Sequence, residues 1–279
     1  MRRIKLIKKS CGTSLLRKAF PIVPAVMIMI AFITVCGCTG NDDRSNRVPS
    51  GMMKITGGPF QPVIDFDTFT VDIEPFYMDK YEVTIAQFEK FVNETGFIPQ
   101  SDQPDAKSMV LRNGSIEEVS GVNWRCDQYG VPRDTSEYNH PVIHVSHEDA
   151  VAYATWAGKR LPTIFEWQYA AYARANRLGI LREVIFNSWN TWVARKIHPV
   201  GQKSPNRFGL YDMFGNVDEH VAVTDTELLK LPGMKPEDIV RASYSSFFNS
   251  PSQMYPIRFS IGHKMGTSLF KGFRCAKDI

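Results

Sequence analysis

The stretch of this chain that decides its fold is GLYDMFGNVDE, which covers residues 209–219. Two further stretches accompany it: GKRLPTIFEW at residues 158–167 and GFRCA at residues 272–276. Gly215 can take the positive φ of a tight turn, and such a turn would bring the carboxylates of Asp212 and Glu219 together. The three stretches in this order are more informative than any one of them alone.

Three more segments extend the pattern towards the N-terminus. They are GGPF at residues 57–60, FYMDKYEVT at residues 76–84 and HPVIHVSHEDA at residues 140–150. Taken in order, the six segments resemble the formylglycine-generating enzyme (sulfatase-modifying factor) family over nearly all of the chain after residue 50. The resemblance implies an α+β, C-type-lectin-like fold, rich in loops and with few regular elements. It implies a function less directly, because one fold hosts many chemistries.

The N-terminal residues have the features of an export signal. Seven basic residues and no acidic residue precede an apolar run from Ala19 to Val35, which ends in the sequence VCGC. This ending resembles the lipobox of bacterial lipoproteins, so we expect cleavage before Cys38 and lipidation of that cysteine. The alternative is one uncleaved transmembrane anchor, because the run is near the lower limit of spanning length. The predicted divisions are a signal peptide at 1–37, the lipidated cysteine with a polar tether at 38–50, and the family-like domain at 51–279.

The charge of the chain argues against nucleic acid as a partner. The full sequence has 33 basic and 29 acidic residues, a net charge of +4. The signal peptide holds seven of the basic residues and none of the acidic ones, which leaves 26 against 29 in the mature chain. A weakly acidic domain lacks the basic surface that attracts nucleic acid. The expected partners are the membrane, through the lipid, and an envelope protein or peptide on the extracytoplasmic side.

Capping boxes mark the starts of three helices. In this motif a Ser or Thr is followed three residues later by an acidic residue or Gln. The boxes begin at Thr84, Ser146 and Thr163, and Gly96 and Gly158 are expected to end the first two helices. Short strands are predicted at residues 66–73, 75–78, 142–145 and 239–247.

The family resemblance implies a calcium site in the 209–219 stretch. Carried over by position, its ligands are the carboxylates of Asp212 and Glu219 and the main-chain carbonyls of Gly215 and Val217. A hard cation takes several oxygen ligands at once, so this set suits Ca²⁺. The competing interpretation is an ordinary turn with two solvated acids. We expect calcium as a cofactor that holds loops together and has no part in catalysis.

The same resemblance implies that the copper centre of the active members is missing. Those enzymes bind Cu(I) through two cysteine thiolates shortly after an RGGSW element, and residues 240–244 here read VRASY. The two thiol positions fall at Ser246 and Pro251, and no cysteine lies between Cys126 and Cys275. A serine hydroxyl is a hard neutral ligand and proline offers none. We therefore expect neither copper binding nor formylglycine formation by the family's route.

Two cysteines remain in the domain. In the family, the cysteine of GFRCA pairs with one that precedes the GKRLPT element, where this chain has Ala154. In an oxidising envelope Cys275 is therefore either free or bridged to Cys126, and the sequence leaves both possibilities open.

The histidines raise the question of another metal site. His140, His144 and His147 have spacings that would place them on one helix face, and the related ergothioneine-type sulfoxide synthases hold iron with three histidines. The β-branched residues between them favour a strand instead. His147 and His220 stand where family members carry Trp, and Asp218 replaces a third. We interpret the histidines as packing or surface replacements and the surface around the 209–219 stretch as remodelled.

Together these expectations indicate an envelope-anchored lipoprotein whose domain is a pseudoenzyme with a binding or structural role. The alternative is a metal-dependent oxidoreductase of the same superfamily that uses a different site. A third interpretation is lectin-like binding of a sugar or peptide through Trp189 and Trp192, which are otherwise core residues. Calcium alone in the purified protein would favour a scaffold, whereas iron or copper would favour an enzyme.

Replacing Cys38 by Ser removes the thiol that lipidation requires. We expect Cys38→Ser to leave the membrane fraction and to lose incorporation of labelled fatty acid, measured by cell fractionation and metabolic labelling. Cys36→Ser is the matched control and should remain lipidated. A Cys38→Ser protein that still fractionates with membranes would identify the segment as a plain anchor.

Overall fold

The computed structural model describes the chain in separate ranges, which are residues 47–62, 69–172, 196–222, 224, 227, 242–245, 258–261 and 270–279. Several sequence predictions fall outside these ranges: those for residues 1–37, Cys38, Trp189, Trp192, Ser246 and Pro251.

Three α-helices form where the capping boxes predict them. They are α1 (Ile85–Thr95), α2 (His147–Trp156) and α3 (Ile164–Tyr172). The side chains of Thr84 and Ser146 each accept the amide of the residue three positions on, and Gly96 ends α1 with a left-handed φ of 68°. These local bonds satisfy amide groups that a helix leaves without internal partners, which is why the sequence alone predicts the helices correctly.

The described ranges contain eleven short strands. They are β1 (Met52–Ile55), β2 (Gly58–Phe60), β3 (Val71–Ile73), β4 (Phe76–Asp79), β5 (Lys107–Arg112), β6 (Ser115–Ser120), β7 (Asp218–His220), β8 (Ala242–Ser245), β9 (Arg258–Ile261), β10 (Lys271–Gly272) and β11 (Ala276–Asp278). Single turns of 3-10 helix occur at Gln100–Asp102 and Thr135–Glu137. No helix in the described part of the chain is long and apolar enough to cross a bilayer. Regular elements are thus few and short, as predicted.

The first sheet joins the two ends of the domain. β4 lies between β1 and β11, and Met78 pairs with Met53 on one side and with Ala276 on the other. The C-terminal segment therefore runs beside β4, where the carbonyl of Cys275 accepts the amide of Asp79 at 2.8 Å.

The second sheet positions the 209–219 stretch. Its strand order is β10-β7-β8-β9, with β7 parallel to β10 and antiparallel to β8. β7 contains the end of the decisive stretch, and β8 lies in the segment that precedes the copper positions in the family. Glu219 is opposite Tyr244 and His220 is opposite Ser243. The two small sheets are the pairs β2–β3 and β5–β6.

The structure differs from the strand predictions at two places. Residues 142–145 form no strand, and His144 among them takes a left-handed φ of 57°. The apolar residues there are buried in the core, so the run reflects burial rather than strand pairing. The β5–β6 hairpin has no counterpart in the predictions, although Asn113 and Gly114 at its turn have the positive φ values of a two-residue hairpin loop.

Two hydrophobic clusters share the C-terminal segment. The first surrounds α3 and includes Ala276, and the second packs α1 against α2 and includes Phe273 and Cys275. Phe273 lies edge-on to Phe88 of α1, with ring centres 6.4 Å apart. Arg274 stands between these apolar residues and is fully buried, with an exposed fraction of 0%. A charged side chain at this place needs partners inside the protein.

Cys126 and Cys275 are both free thiols in the structure. Cys275 belongs to the cluster around α1 and α2, whereas Cys126 lies in a small separate cluster with Val110 and Val122. Burial raises the pKa of both thiols above the ordinary value, and that of Cys275 strongly. Protonated, buried thiols are poor nucleophiles and poor metal ligands.

Because the two thiols lie in different clusters, we expect no disulfide between them under oxidising conditions. Alkylation in denaturant without reductant, followed by peptide mass mapping, should find Cys126 and Cys275 each labelled. Reduction should leave the free energy of unfolding unchanged, whereas a native bridge would contribute about 2–5 kcal/mol. A peptide that contains both residues joined would contradict the structure.

Candidate functional site

The 209–219 stretch folds as a tight loop that leads into β7. Gly215 has a φ of 95°, and Asp212 and Asn216 also take left-handed conformations, with φ values of 56° and 57°. The turn expected at Gly215 is therefore present. Asp212 and Glu219 are both buried, with exposed fractions of 3% and 1%. The alternative of an ordinary turn with two solvated acids is wrong.

The centre of the site is a buried ion pair between Arg274 and Glu219. The Nε of Arg274 donates to both carboxylate oxygens of Glu219, at 2.9 and 2.8 Å, and its Nη2 donates to Oε1 at 2.7 Å. Nη2 also donates to the carbonyl of Tyr211 at 2.8 Å. Nη1 donates to the carbonyls of Asp79 and Lys80, at 3.3 and 3.2 Å. Five N–H groups of a guanidinium thus have acceptors, which is the full number that it carries.

A third side chain completes the surroundings of Glu219. Trp167 of α3 donates its Nε1–H to Oε2 of Glu219 at 2.7 Å. Trp167 is itself 2% exposed and belongs to the cluster around α3. The indole N–H therefore helps to hold the buried carboxylate in place. Charge-assisted bonds of this kind are the strong ones in a protein interior.

Glu82 accepts hydrogen bonds from the middle of the 209–219 loop. Its Oε2 accepts the side-chain amide of Asn216 at 2.7 Å, and its Oε1 accepts the main-chain amide of Val217 at 3.3 Å. Burial, and then the negative charges of Asp212 and Glu219, raise the pKa of Glu82 well above its ordinary value, although Arg274 opposes them. The charges of Asp212 and Glu219 therefore both act on Glu82, so these two predicted site residues lie close to one another.

The same carboxylates keep Arg274 charged. Burial lowers the pKa of Arg274, but Glu219, Glu82 and Asp212 raise it by more, and the net direction is upward. Asp212 also accepts the amide of Gly201 on its Oδ2 at 2.6 Å. Three carboxyl groups thus surround one guanidinium. The arrangement is similar to a cation-binding site in which the guanidinium of Arg274 is the cation.

The calcium prediction can be tested for fit against these contacts. Oε1 of Glu219 accepts two hydrogen bonds from the guanidinium of Arg274, and Oε2 accepts one from Arg274 and one from Trp167. A calcium ion bound through Glu219 would have to displace these bonds and would lie next to the guanidinium charge. In the described residues no group of three or more ligating side chains is suited to a metal ion. As arranged, Glu219 does not fit a calcium ligand, and calcium at Asp212, Gly215, Val217 and Glu219 stays a prediction of the resemblance.

The other shared motifs also hold the structure together. Lys159 of the 158–167 stretch binds Asp79 with Nζ and Oδ1 2.5 Å apart. Its neighbour Arg160 binds Glu166 with both terminal nitrogens at 2.7 Å and reaches Asp278 in β11 at 2.6 Å. These motif residues attach the loop before α3 to the first sheet.

Two histidines stand in contact where the resemblance leads one to expect tryptophans. The rings of His147 and His220 are edge to face, with centres 5.7 Å apart. The Nε2 atoms lie 3.2 Å from the carbonyls of Val221 and Val145 respectively. Burial first, and then the charges of Lys271 and His147, lower the pKa of His220 well below its ordinary value. His220 is therefore a neutral, buried side chain, consistent with a packing replacement.

His140 and His144 do not join them on one strand or helix. His140 binds the carbonyl of Glu137 through Nδ1 at 2.7 Å, and His144 binds that of Asp127 through Nε2 at 2.9 Å. Burial lowers the pKa of His144 to about 4. The expected strand that would place both on one face does not form, because His144 has a left-handed backbone.

The comparison with known proteins identifies the family. A model of the sulfatase-modifying factor enzyme 1-like domain matches residues 40–279. The chain belongs to this family. The formylglycine-generating enzyme of Mus musculus is 32% identical over 253 residues, covering 75% of this chain and 67% of that enzyme. The enzyme of Thermomonospora curvata is 29% identical over 290 residues, covering 83% and 95%.

A relative with a different name matches to a similar degree. The inactive C-alpha-formylglycine-generating enzyme 2 of Bos taurus is 30% identical over 226 residues, covering 64% of this chain and 73% of that protein. Membership of the sulfatase-modifying factor family is therefore shared by proteins named as active and as inactive, and membership alone does not decide which kind this chain is.

Solved structures confirm the fold. PvdO from Pseudomonas aeruginosa superposes with a TM-score of 0.55 at 20% identity, covering 82% of this chain and 94% of that one. CarF superposes with a TM-score of 0.53 at 20% identity, covering 84% and 100%. The predicted α+β, C-type-lectin-like fold of the formylglycine-generating enzyme type is thus correct.

Several residues of the site are not predicted from the sequence. Arg274, Trp167, Glu82 and Asn216 are not among the predicted site residues, yet they make most of its hydrogen bonds. Each one lies inside a family segment noted in the sequence. The co-occurrence of those segments was the available signal, because segments that occur together often contact one another.

We expect the Arg274–Glu219 pair to dominate the stability of the domain. Glu219→Gln removes the countercharge that is hydrogen-bonded to the buried guanidinium, and breaking a buried pair in this way typically costs about 3–5 kcal/mol. Urea unfolding measured by circular dichroism gives the free energy of unfolding. Glu94→Gln breaks the exposed Lys90–Glu94 pair, 3.8 Å apart, and serves as the matched control with an effect below about 1 kcal/mol. Equal effects of the two substitutions would contradict this assignment.

Proposed function

We propose that this protein is an envelope-anchored lipoprotein whose family domain no longer oxidises cysteine and acts as a binding or structural module. The observation that carries this proposal is the pair Ser246 and Pro251 at the two thiol positions of the copper centre. Neither side chain supplies the thiolate that Cu(I) prefers.

The cysteines elsewhere in the domain offer no substitute pair. Cys126 and Cys275 are buried in different hydrophobic clusters, and burial raises the pKa of each. A two-thiolate copper site needs both sulfurs deprotonated and bound to one ion. The described thiols meet neither requirement, which supports the loss of the family's oxidase chemistry.

The scaffold is retained, while residues near the expected site differ from those that the resemblance implies. The buried network around Arg274 and Glu219 keeps the family loop in place. In contrast, three positions expected to be Trp hold Asp218, His147 and His220. A domain that keeps its fold and replaces the residues around its site is typical of a module that has a new partner. The relative named inactive is a precedent within the family.

The location follows from the N-terminal signal. A lipid on Cys38 and a polar tether to residue 50 would hold the domain at a membrane surface outside the cytoplasm. From there the partner would be an extracytoplasmic protein or peptide.

The second candidate is a metal-dependent oxidoreductase that uses another site. The contact between His147 and His220, beside the strand that leads to Ser246, is the observation that favours it. The two candidates differ in the outcome of one assay with a cysteine peptide.

We expect no conversion of a sulfatase-motif cysteine peptide to formylglycine by the purified protein, with or without added copper. The aldehyde product is measured by hydrazide capture and mass spectrometry. The formylglycine-generating enzyme of Thermomonospora curvata, run in parallel, is the positive control. Sustained turnover by this protein that needs oxygen and its own metal would overturn the proposed function and support the second candidate.

A further inference from the structure

The segment of residues 196–211 forms a basic surface beside the place where the tether enters the domain. Its basic residues, with no acidic residue among them, are Lys196, His198, Lys203 and Arg207. The mature chain as a whole carries 26 basic and 29 acidic residues, so this excess of positive charge is local. We propose that the 196–211 surface faces the membrane and binds the headgroups of anionic phospholipids.

Main-chain contacts place the end of the tether next to this surface. Gly51, the first residue after the tether, accepts the amide of Lys80 on its carbonyl at 2.9 Å. The carbonyl of Lys80 in turn accepts the amide of Tyr211 at 2.9 Å. Gly209 packs on the side chain of Met53 in β1, because a Cβ added to this glycine would lie 2.8 Å from the Cε of Met53. The tether and the basic segment therefore meet at the N-terminal end of β1.

A second contact brings the earlier part of the segment to the same place. Gly201 has a φ of 77° and lies against the ring of Tyr81, where an added Cβ would be 2.6 Å from a ring carbon. The ring of Tyr81 also packs on that of Tyr211, with centres 4.8 Å apart. Because Tyr81 directly follows Lys80, the loops around Gly201 and Gly209 both lie around the turn after β4.

Exposed cations in this surface have no ion-pair partner in the described part of the chain. Lys196 and Arg207 are both exposed, and neither forms an ion pair with a described residue. Burial first, and then the nearby charges of Lys196 and His140, lower the pKa of His198, so these basic groups lie close together. Cations that are not neutralised within the protein attract an external anionic surface.

The opposite end of β1 has exposed acidic residues. Gly57, two residues after β1, packs on the main chain of Glu74, where an added Cβ would lie 2.9 Å from the carbonyl carbon. Glu74 and Asp72 are both exposed. At the tether end, Asp79 is instead bound to Lys159, with Nζ and Oδ1 2.5 Å apart. An anionic bilayer would therefore attract the tether end and repel the other end, which favours one orientation.

The length of the tether allows this contact. Residues 38–50 span at most about 45 Å when fully extended, so a lipid on Cys38 would keep the domain within that distance of the bilayer. Near an anionic membrane, each Lys or Arg strengthens binding about fivefold. The inference rests on the location given under the proposed function, and it adds a direct contact between the folded domain and the lipid.

The test uses the full-length protein in nanodiscs of phosphatidylcholine, with or without phosphatidylglycerol. A water-soluble acetylating reagent modifies exposed lysines, and peptide mass spectrometry gives the rate at each one. We expect Lys196 to react about fivefold more slowly when phosphatidylglycerol is present, because headgroups cover it. Lys90 on α1 should react equally in both. The difference should disappear at about 1 M salt, where the screening length is only about 3 Å.

A charge reversal within the surface leaves Lys196 as the probe. Arg207→Glu replaces an attraction by a repulsion, so most of the protection of Lys196 should be lost. Lys90→Glu is the matched charge reversal on α1 and should leave the protection unchanged. Circular dichroism of both variants checks that they fold.

Equal reaction of Lys196 in the two kinds of nanodisc would overturn the proposal. Protection by an acidic peptide such as oligoglutamate, without protection by phosphatidylglycerol, would assign the surface to a protein partner instead. The labelling of Lys196 reports on the surface whether a lipid or an apolar segment anchors the chain. Fractionation of Cys38→Ser reports on the anchor, so failure of this inference is distinguishable from failure of the proposed function.

Discussion

The buried pair of Arg274 and Glu219 is the interaction on which the rest of this structure depends. Glu219 ends the 209–219 loop, and Arg274 comes from the segment that runs beside β4. The guanidinium also binds the carbonyls of Asp79, the last residue of β4, and of Lys80, which follows it. One side chain thus joins the loop, the first sheet and the C-terminus. Removing its countercharge costs more than the intact pair contributes, because an unpaired buried charge remains.

The pair explains why distant segments of the sequence occur together. Glu82 is contributed by the 76–84 segment, Trp167 by the 158–167 segment and Arg274 by the C-terminal segment, and all three act on the 209–219 loop. None of these partners is near another in sequence: Glu82 and Asn216 are 134 residues apart, and Arg274 and Glu219 are 55 apart. The motifs are therefore better understood as parts of one buried network than as separate signals.

The sequence predicts the features that depend on residues near one another in the chain and misses those that depend on distant residues. The helices that begin after Thr84, Ser146 and Thr163 are predicted because their caps are formed within four residues. The turn at Gly215 is predicted for the same reason. The partners of Glu219 are not, since no local pattern shows which distant donor will reach a carboxylate. The absence of a strand at residues 142–145 is missed because an apolar run has no period that separates a buried loop from a buried strand.

The residues of the GFRCA segment have structural roles that do not depend on a redox centre. Phe273 packs on α1, Arg274 holds the loop, and Ala276 pairs with Met78 in the first sheet. Cys275 itself is a buried thiol whose pKa is raised first by burial. Each residue thus has a structural role that does not need copper. Retention of the segment is therefore evidence for the fold, and by itself it does not indicate which chemistry the domain performs.

The contact between His147 and His220 is not explained by retention of the family fold alone. A buried imidazole must satisfy two nitrogens, and a donor on Nε2 is accommodated by a main-chain carbonyl in each ring. The Nδ1 of His220 then keeps a buried lone pair without a hydrogen bond. An apolar residue of similar size would avoid that cost at the same position.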